Sequence, residues 1–168
     1  MEITIRKGTM EDLDGFARLL ADVRDGMPRK DWFALDPPEL LRERMAAGKM
    51  ELWLAMDEER VVGGLNILHP GLEPENYGYD LDFDREKLLQ VVNMDSAAVH
   101  PDYRGMGIQR CLLEASEREL REQGARYLLC TIHPENRFSL HNALKQGYTI
   151  CKTCSKYGSV RHILCKII

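Results

Sequence analysis

The sequence predicts an α/β (α+β) domain: a mixed, mostly antiparallel central sheet of about seven strands flanked by about four helices. Three observations carry that expectation. Short apolar, β-rich segments and longer segments of helical periodicity follow one another in the order β-α-α-β-β-β-α-β-α-β-β. Capping and turn residues stand at most of the junctions. A chain of 168 residues fits a single core that buries about 70% of the unfolded surface, so one domain over 1–168 is expected.

Ile3 to Arg6 alternates as a short strand. Thr9-x-x-Asp12 fits a capping box ahead of Leu13, Phe16, Ala17 and Leu20, which share one helical face. A second helix is predicted from Pro37 to Gly48 through Leu40, Leu41, Arg44 and Met45, because proline suits a first turn and glycine a C-terminal stop. The segment between them, with Met27, Trp32 and Phe33, reads as a loop whose aromatic residues line an acceptor pocket or pack on the core. Residues 50–56 and 60–68 form an antiparallel hairpin around Asp57-Glu58-Glu59.

From His69 to Lys87 the periodicity dissolves into an insertion with six acidic and two basic side chains. A strand resumes at 88–99, a long helix follows from Gly105 to Gln123 with Ile108, Cys111, Leu112 and Ala115 on one face, and Gly124 stops it. Residues 126–132 form the next strand, parallel to 88–99 because a helix connects the two. A helix from Pro134 to Gln146 ends at Gly147, and strands at about 148–154 and 160–167 complete the order.

Composition excludes several classes. The charge of −4 offers no basic field for a nucleic-acid backbone. The apolar runs fall short of the roughly 18 residues that span a bilayer, and the N-terminus lacks an apolar signal core, so neither membrane nor export is expected. Five cysteines form an odd set suited to free thiols in a reducing cytoplasm. Cys151, Cys154, His162 and Cys165 have the donors of a zinc site, yet on strands a three-residue spacing sends Cys151 and Cys154 to opposite faces, so no metal is expected.

The informative stretch runs from Asp95 to Gln109, where a strand ends, a Gly-x-Gly turn follows and a helix begins. Such a turn aims backbone N–H groups and the positive end of a helix at one point, a natural seat for a phosphate. Gly105 and Gly107 permit close approach. Neither the P-loop spacing nor the dinucleotide fingerprint is present.

Arg104-Gly-Met-Gly-Ile-Gln109, after the strand ending in Ala97-Ala98-Val99, resembles the acetyl-coenzyme A motif of the GCN5-related N-acetyltransferases (GNAT family). Asn136-Arg-Phe-Ser139 leading to Gly147-Tyr148 is similar to the family's second motif, and the strand order agrees over essentially the whole chain. The resemblance implies the acyl-CoA N-acyltransferase fold and acetyl-CoA as co-substrate. It implies that Arg104, Gly105, Met106, Gly107, Ile108 and Gln109 hold the pyrophosphate, that Ala97, Ala98 and Val99 hold the pantetheine through their backbone, and that Asn136 and Ser139 line the same arm. Two positions depart from the pattern: Gln109 stands where Gly or Ala is usual, and Ala143 where a Tyr often serves as acid.

Transfer to an amine needs a proton acceptor, because an amine with a pKa near 10 arrives protonated. Asp95 is the first candidate, four residues before Val99 on the central strand, with His133 and Glu73 as alternatives. Among acids near the second motif, His141 is the candidate carried forward, beside Ser139, Tyr148 and Tyr157. The expected partner is a small-molecule amine or a peptide N-terminus, drawn by the acidic insertion, with a homodimer left open. A coenzyme A-sensing module without turnover is the alternative that Ala143 and Gln109 motivate.

Overall fold

The computed structural model describes residues 2–168. Seven strands, β1 (Ile3–Lys7), β2 (Met50–Asp57), β3 (Arg60–Leu68), β4 (Val91–Val99), β5 (Tyr127–Ile132), β6 (Thr149–Lys156) and β7 (Ser159–Ile167), form one sheet in the order β1-β2-β3-β4-β5-β7-β6. The helices are α1 (Leu13–Asp25), α2 (Pro38–Ala46), α3 (Arg85–Leu88), α4 (Ile108–Glu122) and α5 (Arg137–Lys145). The expected topology holds, including the antiparallel β2–β3 hairpin and the parallel β4–β5 pair. The chain divides into two compact units, the first running to Leu68 and adding Asp95–Glu119, the second comprising His69–Met94 and Leu120–Ile168.

In the first unit the capping box forms as expected: the Thr9 backbone N–H donates to Asp12 Oδ2 at 2.7 Å. Arg6 on β1 clamps the same carboxylate with bonds of 2.9 and 2.8 Å, which holds Asp12 down to about 2. The helical turn at 10–12 is 3-10, and α1 proper begins at Leu13. Leu13, Phe16, Leu19, Leu20 and Val23 of α1 and Leu41 of α2 bury against Met50, Leu52, Leu54 and Met56 of β2. Phe16 sits so close to β3 that a Cβ on Gly64 would lie 2.6 Å from its ring, so glycine is required there. Met27 and Phe33 pack on this core rather than opening a pocket.

On α4 the buried face is Ile108, Leu112, Ser116 and Leu120 at four-residue spacing, with Leu113 and Glu117 beside it. Cys111, expected on that face, is exposed. Ser116 is fully buried because its hydroxyl donates to Leu113 O at 3.0 Å, a bond that periodicity of apolar residues cannot register.

In the second unit the insertion is ordered, contrary to its formless sequence. It contains a 3-10 turn at Tyr77–Leu81 and the single-turn α3, which raises the helix count to five and delays β4 to Val91. Asn76, 1% exposed, stitches it together, donating to Gly71 O and Leu88 O and accepting from the Gly78 N–H. Asn93 of β4 donates to Glu75 O at 2.9 Å. The Tyr77 and Tyr157 hydroxyls are hydrogen-bonded, and Lys156 pairs with Asp80 at 3.1 Å. Part of the insertion's acidity is therefore spent internally: Asp80 is ion-paired and Asp84 caps α3.

Candidate active site

Pairing of β4 with β5 covers Val91–Asn93, while β4 itself continues to Val99. Its last third, Ala97 to Val99, leads into His100, whose backbone N–H donates to Val62 O at 2.8 Å. A 3-10 turn at Pro101–Tyr103 follows, pinned to the β2–β3 hairpin because Tyr103 donates to Asp57 Oδ2 at 2.5 Å and Arg60 lies over the Tyr103 ring. The turn into α4 therefore starts from a fixed point.

Gly105 and Gly107 adopt φ of +80° and +75°, and a Cβ on Gly105 would meet open space. Their conformation, rather than crowding, demands glycine. Arg104 and Met106 are exposed, Ile108 is buried under α4 against Gly63, and Gln109 is half-buried in the first helical turn. The N–H groups of that turn have no helical partner by construction. An exposed left-handed turn opening onto free donors fits a pyrophosphate, so the residues present suit coenzyme A.

Asp95 is the first sequence candidate in this unit. Burial and the neighbouring Asp36 carboxyl raise its pKa to about 6, while Asn66, donating from Nδ2 to Asp95 Oδ2 at 3.1 Å, and Arg44 work against that rise. Asp36 is anchored by Arg44 of α2 at 2.7 Å. Asp95 can therefore accept a proton near neutral pH, as a general base must.

Sequence reasoning missed Asp36, Arg44 and Asn66 as site residues. Asn66 carried a usable signal, since a lone amide inside the apolar strand 60–68 must find partners. Asp36 carried none, because only the fold brings the loop before α2 to β4.

The remaining candidates belong to the second unit. His133 is buried and its Nδ1 accepts from the Glu135 N–H at 3.1 Å, a local role for that nitrogen. Asn136 caps α5, its Oδ1 facing the Ser139 N–H at 3.4 Å, and Ser139 lies half-buried in the first turn. His141 is exposed on α5, Glu73 is exposed in the insertion, and Ala143 is buried. Among the described residues no group of three or more His, Cys, Asp or Glu could hold a metal ion. His162 Nδ1 instead faces Thr153 Oγ1 at 2.7 Å. All five cysteines are free, and no helix of the described residues is long and apolar enough to cross a membrane.

A mixed seven-stranded sheet whose central strand ends in a glycine turn at a helix N-terminus defines the acyl-CoA transferase class of fold. The model of the acetyltransferase (GNAT) family matches residues 17–148, and the chain belongs to that family; it is an acyltransferase. Ribosomal-protein-alanine N-acetyltransferase from Brucella melitensis is similar over 98% of this chain and 99% of its own, at 25% identity and a TM-score of 0.73. PaiA N-acetyltransferase from Thermoplasma acidophilum, in complex with coenzyme A, aligns over 100% of both chains at 16% identity and a TM-score of 0.72. YncA from Salmonella typhimurium, with its cofactor acetyl-CoA, aligns over 99% of this chain and 94% of its own at 16% identity and a TM-score of 0.73. At that identity the last two speak to fold alone. No curated protein matches the sequence significantly.

Proposed function

We propose that this protein transfers the acetyl group of acetyl-CoA to a primary amine of a small molecule or a peptide N-terminus, by direct attack in a ternary complex. The observation that carries the reading is the placement, on one strand, of a carboxyl held at about 6 and of the segment that leads into the Gly105–Gly107 turn. When bound, acetyl-CoA supplies an activated carbonyl and a thiol leaving group.

The chain's own groups do the rest. N–H donors of the 104–109 turn bind the pyrophosphate, and the β4 backbone at Ala97, Ala98 and Val99, beyond the β5 pairing, orients the pantetheine. Asp95 Oδ atoms take the proton from the incoming ammonium, directly or through one water, and Asn66 holds that carboxylate in place. Burial pushes the Cys130 and Cys165 thiols up to about 12, which makes these two poor nucleophiles. Ala143 can donate no proton, but a thiol with a pKa near 8.5 departs passably as thiolate. Five free cysteines suit a reducing cytoplasmic setting.

The test is thiol release from acetyl-CoA over a panel of primary amines, set beside calorimetric binding of the cofactor. Amine-dependent release supports the proposal. Tight cofactor binding with no release over any amine would replace it with a coenzyme A-sensing module.

A further inference from the structure

One buried acceptor in the first unit has no donor. Asn66 is 1% exposed, and its side-chain nitrogen is engaged by Asp95 Oδ2 at 3.1 Å and Met50 Sδ at 3.8 Å. Its Oδ1 is equally buried and receives no hydrogen bond among the described residues. Leaving such a group unsatisfied is costly, so its retention asks for a donor that arrives from outside the chain.

The surroundings say what kind of donor. The Asn66 amide is held against the Asp95 carboxylate, and the Asp36 carboxyl is near enough for its charge to bear on Asp95. Asp36 and Asp95 are both partly exposed, whereas the Asn66 amide bonded to Asp95 is buried. Arg44 bears on Asp95, and it is already paired with Asp36 at 2.7 Å. With both carboxyls ionised, one negative charge is left over. A proton acceptor alone would need only Asp95; the second carboxylate and the orphan amide oxygen are surplus to that role.

A primary ammonium carries three N–H donors and no acceptor. We propose that Asn66 Oδ1, Asp36 and Asp95 together recognise the head of the acceptor as a primary ammonium, and that this triad selects it against N-methylated amines and alcohols. The inference rests on the reading of Asp95 as the residue that meets the acceptor. It adds Asn66 and Asp36 as specificity residues and assigns the cation's seat to the first unit rather than to the acidic insertion.

The experiment follows the Asn66 side-chain amide and the Asp36 and Asp95 carboxyl carbons by NMR in the full chain. The probes are n-butylammonium, n-butyltrimethylammonium and n-butanol. Saturable shifts of all three residues with n-butylammonium are expected, with at least tenfold weaker binding of the other two probes. Asn66→Leu should weaken n-butylammonium at least tenfold. Absence of a saturable shift, equal binding of the trimethylated probe, or undiminished binding by a folded Asn66→Leu protein would each overturn the proposal. Should that variant not fold, the probe selectivity of the unaltered chain decides. Acetyl transfer is scored separately: turnover indifferent to Asn66 defeats this inference alone, whereas selective ammonium binding without turnover defeats the proposed function alone.

Discussion

Asn66 of β3 donates its side-chain amide to the carboxylate of Asp95 on β4 at 3.1 Å. This bond joins two adjacent strands at the point where a titratable group is needed and leaves the oxygen of the same amide without a partner. An apolar residue at 66 would make a better core and a poorer site, a local conflict of the kind that marks function.

Asp95→Asn keeps the size of the side chain and removes its capacity to take a proton. The rate should fall about 10²-fold or more while cofactor binding stays nearly unchanged, and raising the pH should restore part of the loss by delivering a neutral amine. Initial rates and cofactor titration of the variant decide. Full activity per folded molecule would pass the role to His133, Glu73 or a bound water.

With Asp95 raised to about 6, kcat/KM should climb between about pH 5 and pH 7 on a limb centred near that value. The groups bearing on it set the direction of variant shifts. Asp36→Asn removes a neighbour that raises the pKa, so the limb should move to lower pH; Arg44→Met removes a cation that lowers it, so the limb should move up. A limb unmoved by either change would exclude Asp95 as its source.

The same group makes a stability prediction of definite sign. A carboxyl whose folded pKa is raised contributes most favourably below the unfolded value near 3.9, and the contribution is lost as the pH rises through about 6. Asp95→Asn should therefore raise the melting temperature at pH 7.5 and leave it unchanged at pH 4. Calorimetric melting at the two pH values checks this, and a drop at pH 7.5 would make Asp95 a structural residue.

Gly107 holds φ at +75°, which asparagine tolerates and a β-branched residue does not. Gly107→Val should weaken coenzyme A at least tenfold, or about 1.4 kcal/mol, and Gly107→Asn distinctly less. Calorimetry with circular dichroism as a fold control measures both; equal affinities across the series would remove the turn from the site.

Asp12 illustrates the opposite sign. Clamped by Arg6 and held to about 2, it contributes stability above the ordinary carboxylate range that is lost as the pH falls through about 2. Asp12→Ala should cost about 1 kcal/mol, or about 2–4 °C in melting temperature at pH 7, with the difference narrowing as the pH is lowered from 4.

The sequence by itself determined the order of elements outside the insertion, the antiparallel hairpin at 50–68, the parallel β4–β5 pair and the glycine turn at 105–107, because each is written in local periodicity or in glycine chemistry. It also singled out Asp95. It failed where polar residues build structure: Asn76 and Asn93 order an insertion that has no apolar period, and Ser116 rather than Cys111 lies inward on α4. Only the tertiary structure could place Asp36 and Arg44 beside Asp95, or leave Asn66 Oδ1 without a donor. Those relations join segments some 30–60 residues apart in the chain, and no local rule encodes them. Packing of α1 and α2 on the sheet decides them, since the loop leading into α2 goes where its helices' buried faces send it.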